Sequence, residues 1–187
     1  MRQHPGAVAF ALLALTAAIA RAQAPAGAGA APTLEFGVDL TTYYTQIGGG
    51  CTTDCGLFSV GTPVDVRVGI VSGPLTVEPR LAATYITRPG SGHVLSLTSG
   101  LNVLVRMGPG TGQHNLMGVY LTGGGTYKLV DTGTSAHQFS VNVGVGDRVA
   151  FGSGAWRPEA FFRYNFKNST VVSSWDVGVR LGLSLWH

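Results

Sequence analysis

The sequence predicts an all-β fold, an eight-stranded antiparallel up-and-down transmembrane β-barrel. Three observations predict it. Apolar residues recur at every second position along most of the chain. Gly supplies 28 of 187 residues, and only 11% are charged, against roughly 25% in a typical soluble protein. The alternating region also follows a leader-like N-terminus. With 45% apolar residues the chain is no disordered polymer. So much Gly argues against a helical enzyme. A net charge of +3, scattered along the chain, gives no footprint for nucleic acid.

Arg2 forms a short positive region, and Ala7 to Ala20 then run without a charge. That run is short for a transmembrane helix, which needs about 20 residues, but suits a secretory signal. Ala20-Arg21-Ala22 and Ala22-Gln23-Ala24 both have the A-x-A form, and cleavage after Ala22 keeps Pro25 away from the cut. Residues 1–22 are therefore expected to be a signal peptide. Residues 23–32, rich in Ala, Gly and Pro, form a linker with nothing to bury. Residues 33–187 form the barrel domain. Without Arg2 and Arg21, ten basic residues face nine acidic ones.

The first strand sets Leu34, Phe36, Val38 and Leu40 against Glu35, Gly37, Asp39 and Thr41. The second sets Val64, Val66, Val68 and Ile70 against Asp65, Arg67 and Gly69. The third sets Leu75, Val77, Leu81, Ala83 and Tyr85 against Thr76, Glu78, Arg80 and Thr84. The fourth has Leu95, Leu97, Leu101, Val103 and Val105 against Ser96, Thr98, Gly100, Asn102 and Arg106. The fifth has Met117, Val119 and Leu121 against Gly118, Tyr120 and Thr122, and the sixth Phe139, Val141, Val143 and Val145 against Ser140, Asn142, Gly144 and Gly146. The seventh has Trp156, Ala160, Phe162, Tyr164 and Phe166 against Arg157, Glu159, Arg163 and Asn165. The last sets Trp175, Val177, Val179, Leu181, Leu183 and Leu185 against Asp176, Gly178, Arg180, Gly182, Ser184 and Trp186. Its length suits a tilted strand crossing a bilayer, which takes about 9–11 residues. Tight turns are expected at 72–74, 107–112 and 152–155, and longer loops at 45–59, 88–92, 128–136 and 167–173. Short turns at one end and longer loops at the other match an outer-membrane barrel.

The polar face decides which side meets water. A wet exterior carries interspersed Lys and Glu. Here the two lysines, Lys128 and Lys167, are both expected in loops, and the polar face is mainly Gly, Ser, Thr and Asn. Such small residues fit the crowded interior of an eight-stranded barrel. That interior also receives a near-balanced charge set: Glu35, Asp39, Asp65, Glu78, Glu159 and Asp176 against Arg67, Arg80, Arg106, Arg157, Arg163 and Arg180. Arg pairs bidentately with carboxylates and stays charged when desolvated. The set is expected to be a structural plug rather than a conduit. Asp147 breaks the pattern, because parity places it outward with Val143 and Val145. A bulge near Gly146 is the expected rescue.

The closing run VGVRLGLSLWH is similar to the C-terminal assembly signal of bacterial outer-membrane barrels, with Val179, Leu181, Leu183 and Leu185 in phase. His187 stands where that signal usually ends in Phe. The stretch FSVNVGVGDRVAF-GSG-AWRPEAFFRYNF resembles the penultimate hairpin of small opacity-like outer-membrane proteins. The resemblance implies an outer-membrane location in a Gram-negative-type bacterium, with both termini periplasmic. It also implies outer-membrane lipid as surroundings and the barrel-assembly machinery as a partner of the last strand. It names no extracellular partner, and one barrel hosts many roles.

No catalytic, cofactor or metal motif stands out. The chain lacks G-x-S-x-G, H-E-x-x-H and a P-loop lysine, and its histidines share no ligand spacing. The expected role is structural or surface-interacting, without enzymatic activity. A lipid A deacylase would need a His and a Ser on one strand face, whereas His137 and Ser140 are three apart and point oppositely. A carrier for small hydrophobic molecules would need an apolar lumen, for which Tyr120, Phe161, Ile86 and Trp186 are the few large inward candidates. Cys51 and Cys55 stand alone in GGGCTTDCG. For an exported chain they suggest a local disulfide, with free thiols and redox or metal use as weaker alternatives.

Overall fold

The computed structural model describes residues 33–48, 55–60, 64–88, 92–109, 116–131, 135–169 and 171–186. The expected leader and linker, residues 1–32, and Cys51 lie outside them. Nine strand segments follow in order: β1 (Thr33–Ile47), β2 (Gly56–Val60), β3 (Asp65–Ser72), β4 (Leu75–Arg88), β5 (Gly92–Arg106), β6 (Gly118–Asp131), β7 (Ser135–Phe151), β8 (Gly154–Asn165) and β9 (Ser174–Trp186). All pairings are antiparallel, and β1 pairs with β9 from Glu35↔Trp186 to Ile47↔Ser174, which closes the sheet. β2 and β3 share one barrel position. β3 pairs with residues 33–39 of β1, and β2 with residues 42–46. The fold is thus a closed eight-stranded antiparallel barrel whose second strand is interrupted.

The expected first loop, 45–59, is shortened from both sides, because β1 continues to Ile47 and β2 begins at Gly56. The Ile47 amide donates to the Cys55 carbonyl at 2.8 Å and clamps the base of that hairpin. Lys128 lies in β6, across from Thr98 and Gln138, and not in a loop. The turn expected at 107–112 is part of a longer connection. Its end, Leu116 and Met117, packs with Val71, Ala155 and Trp186. Met117 therefore points inward and not outward as alternation suggests. Gly118, at φ 120°, makes the reversal, since that backbone conformation is open mainly to Gly.

Two prolines interrupt the ladders without shifting them. Pairing of β7 with β8 skips from Gly146↔Glu159 to Val149↔Trp156, and that of β3 with β4 from Arg67↔Arg80 to Ile70↔Val77. The offset is the same on both sides of each gap. The gaps fall at Pro158 and Pro79, which have no N–H to donate. No bulge exists at Gly146, and Asp147 remains on the outer face, paired across with Val119.

The polarity is inverted relative to a soluble barrel. Phe36, Leu40, Leu101, Val143, Val179 and Leu181 are 48–59% exposed, while Glu35, Arg67, Glu78 and Arg157 are at most 2% exposed. Aromatic pairs border the apolar band: Phe151 with Trp156 at the tight-turn end, and Tyr164 with Phe166, Phe139 with Phe166 and Tyr44 with Trp175 towards the loops. From Trp156 to Tyr164 along β8 spans roughly 26 Å at about 3.3 Å per residue. With a strand tilt of about 35–45°, that gives an apolar height of about 20 Å, near that of transmembrane barrels.

Candidate functional site

The site is the barrel interior, and strand parity builds it. Alternate residues of β1, β3, β4, β8 and β9 carry charges inward, while glycines leave room for them. A Cβ at Gly37 would collide with the Arg67 guanidinium, and one at Gly182 with the Asp39 carboxylate. Small and large residues thus interlock across neighbouring strands.

The tier nearer the termini is closed. Arg67 donates from Nη1 to Glu35 at 2.8 Å, from Nε to Asp39 at 3.0 Å and from Nη2 to Ser184 Oγ at 2.7 Å. Arg157 donates from Nη1 to Glu78 at 2.6 Å and to Glu35 at 3.2 Å. Ser184 donates its hydroxyl to Glu35 at 2.6 Å. Arg148 donates to Glu35 Oε2 at 2.8 Å and to Thr76 at 3.3 Å. Tyr120 lies between two cations, with Arg148 and Arg157 carbons 5.3 and 5.1 Å from its ring centroid. Its hydroxyl donates to Glu159 at 3.1 Å. Below this tier the Val71, Leu116, Met117, Ala155 and Trp186 cluster forms an apolar floor. Carboxylates and guanidinium groups pair across strands distant in sequence, which offsets the cost of burying their charges, while Arg148 Nε is left without a hydrogen-bond partner.

The tier nearer the loops is more open. Arg80 bridges Asp39 at 2.6 Å and Asp65 at 2.8 Å. Arg163 pairs with Asp176 at 2.6 Å, and Arg180 pairs with Glu159. Asp176 also accepts from Thr45 at 2.7 Å and from Asn165 at 3.0 Å. Tyr43 lies under Arg163, and Phe161 under Arg180, each at 4.9 Å. Ser140 donates to Asn165 at 2.6 Å, and Asn142 to Asn102 at 3.2 Å. Asp65, Arg80, Arg163, Asp176 and Arg180, with Lys128 and Gln138, border a cavity of about 250 Å³.

Of the twelve charged residues picked by parity, Arg106 is half-buried opposite Tyr120. The other eleven form the two tiers. Sequence reasoning missed Arg148, which is 3% exposed. The signal was present, because Arg148 keeps the inward parity of Asn142, Gly144 and Gly146. A bulge at Gly146 would have removed it from that face. Lys128 was missed as a lumenal residue for want of a visible end to the fifth strand.

His137 is exposed and stacks on Tyr127 at 6.1 Å, while Ser140 is buried in the lumen, so the two stand on opposite faces. Among the inward aromatics, Tyr120 and Phe161 are occupied by arginines, and Trp186 packs on the apolar floor. The side chain of Ile86 lies outside the described residues.

No family model and no curated protein matches the chain. Solved structures of similar architecture do exist. Ail, the attachment invasion locus protein of Yersinia pestis, is 10% identical with a TM-score of 0.47, over 82% of this chain and 99% of its own. Neisserial surface protein A (NspA) is 16% identical with a TM-score of 0.48, over 81% and 96%. The N-terminal β-barrel domain of Pseudomonas aeruginosa OprF is 13% identical with a TM-score of 0.42, over 80% and 97%. By its own strand pairing and polarity this chain is a closed eight-stranded barrel with a polar inside and an apolar outside, built as transmembrane barrels are.

Proposed function

We propose that this chain is an exported, integral outer-membrane barrel that acts as a rigid anchor for surface loops. The observation that carries the reading is the closed tier of Glu35, Arg67, Glu78 and Arg157, none more than 2% exposed. A lumen sealed by paired charges supports a structural or surface-interaction role over a conduit. Neither a deacylase nor a hydrophobic carrier gains a comparable observation.

The tight turns and both ends of the described chain share one rim, where Glu35 and Trp186 are neighbours. In an outer membrane that rim faces the periplasm and the longer loops face outward. The in-phase Val179, Leu181, Leu183 and Leu185 support recognition of β9 by the barrel-assembly machinery. The opacity-like hairpin, residues 139–166, supports membership among small surface barrels without naming a ligand.

The test is conductance of the refolded barrel in planar bilayers, with heat-modifiable gel mobility as the measure of folding. The expected result is a mobility shift on boiling and no steady conductance. A stable open channel in folded protein would overturn the filled interior. Recovery of a folded, detergent-free periplasmic monomer would overturn the membrane assignment.

A further inference from the structure

Asp147 is the one charged side chain that the described strands place on the outer apolar band between the aromatic borders. It is half-buried, and its Oδ1 is shut away without a hydrogen-bond partner. It stands beside a shallow groove of about 520 Å³ bounded by Val119, Val145, Pro158, Ala160, Val179 and Leu181. The small side chains of Pro158 and Ala160 make the depression, and the flanking Val and Leu residues form its apolar rims.

We infer that Asp147 and this groove hold a phospholipid carrying a primary ammonium head group. The inference rests on the membrane reading given above. Three features select the occupant. A carboxylate on an apolar face is costly unless a cation meets it. The described residues of the outer band offer no cation between its aromatic borders, and Arg180, which also lines the groove, is buried and paired with Glu159 inside the barrel, so a second copy docked there brings no counter-charge. Depth supplies the third. Asp147 is two residues along β7 from Val149, which pairs with Trp156, and Trp156 packs on Phe151 at 5.5 Å. Two residues of a tilted strand place the carboxylate about 5 Å inside that aromatic border. A head group at the interface reaches that level while its acyl chain lies along the groove. A primary ammonium brings both the charge and N–H donors for the carboxylate. A quaternary ammonium brings the charge alone, and a glycerol head group brings no cation.

Native mass spectrometry of the refolded barrel in detergent, titrated with phosphatidylethanolamine, phosphatidylcholine or phosphatidylglycerol, tests this. Phosphatidylethanolamine should be retained about tenfold more tightly than either other lipid, the scale of one charge-assisted hydrogen bond. Asp147→Asn should abolish the preference. Ala160→Leu, which fills the groove and spares the carboxylate, should weaken binding of all three lipids. Equal retention of the three lipids by the wild-type barrel, or an unchanged preference in Asp147→Asn, would overturn the assignment. So would a protein that copurifies through Asp147 and excludes the lipid. Heat modifiability is scored on each sample. A barrel that folds in detergent without a lipid preference refutes this site alone, whereas a barrel that is soluble without detergent refutes the membrane reading.

Discussion

Arg67 and Glu35 meet at 2.8 Å with both side chains wholly buried, on the neighbouring strands β3 and β1. Glu35 also receives Arg148 and Arg157, so three guanidinium groups converge on one carboxylate. Arg67 and Arg157 in turn share Glu78. A connected set of this kind adds little stability over a well-packed apolar core, yet removing one member is expensive.

That asymmetry sets the first expectation. Arg157→Ala leaves Glu35 and Glu78 short of a partner in the closed tier, and should cost about 3–5 kcal/mol. Arg180→Ala strips Glu159 of its loop-side cation. It should cost less than Arg157→Ala, because Arg180 borders the cavity, where water can enter. Reversible urea unfolding in detergent measures both. Neutral results for the pair would mean a hydrated lumen in place of a plug.

Arg148 and Lys128 make the second comparison. Arg148→Ala removes a 2.8 Å bond to the buried Glu35 and should cost about 3–5 kcal/mol. Lys128→Ala changes a half-buried side chain beside the cavity, and should stay within about 0.5 kcal/mol. The same unfolding assay ranks them, and equal costs would contradict the tiered description.

Both residues also show where legibility in the sequence ends. Alternation identifies which residues face inward, because a strand's side chains alternate strictly, and the structure buries Glu35, Asp39, Arg67, Glu78 and Arg157 inside the barrel. It does not say which Arg meets which carboxylate. That depends on the stagger of strands around the closed barrel, which brings Arg148 to Glu35 across 113 residues of sequence. The interruption between β2 and β3 is equally hidden, since Gly56–Val60 is a short segment behind a Gly-rich, cysteine-bearing loop. Lys128 is masked because the alternation assigned to the fifth strand goes no further than Thr122, while the run Gly123-Gly124-Gly125 beyond it stays paired with β5 and β7 throughout. Asp147 invites a bulge because a charge on the lipid face looks like an error of register. Pro158 shows that a ladder can be interrupted while register is kept.

Glycine packing gives a third expectation. Gly37 faces the Arg67 guanidinium, which bonds to Glu35, Asp39 and Ser184 and has no room to withdraw. Gly37→Val should cost about 1–3 kcal/mol through overpacking. Gly123 has only the Asn142 carbonyl oxygen near, at 3.8 Å from a Cβ. Gly123→Ala should be neutral, or stabilise by up to about 1 kcal/mol through the unfolded chain. Midpoints of urea unfolding for the two variants decide the matter, and similar midpoints would refute the interlocked interior.

The outer face supplies the fourth. Val143 lies midway between Phe139 and the tight-turn border and is 59% exposed. Val143→Arg should cost about 2–4 kcal/mol in a lipid bilayer, whereas Phe151→Arg at the border should cost about 0–1 kcal/mol for the charge itself. Refolding yield and unfolding free energy in lipid vesicles measure the difference. A cost independent of depth would argue that this face does not meet lipid.

The last expectation concerns Cys51 and Cys55. The proposed disulfide lies outside the described residues at Cys51, but the base of its loop is in view. The Ile47 amide bonds to the Cys55 carbonyl, and β1 pairs with β2 from Gln46↔Gly56 to Thr42↔Val60. The hairpin that would carry the link is therefore already clamped by its backbone. A ring this small removes less chain entropy than the roughly 3 kcal/mol expected for a 15-residue loop. Reduction should accordingly leave heat-modifiable mobility and the urea midpoint of the barrel nearly unchanged. It should instead speed protease cleavage between Gly48 and Cys55. A non-reduced digest should yield one peptide holding both cysteines, lighter by two hydrogens than its reduced form. Quantitative alkylation of both thiols in freshly isolated, unreduced outer membranes would show the link to be absent. A large fall in the unfolding midpoint on reduction would show that it supports the whole barrel and not the loop alone.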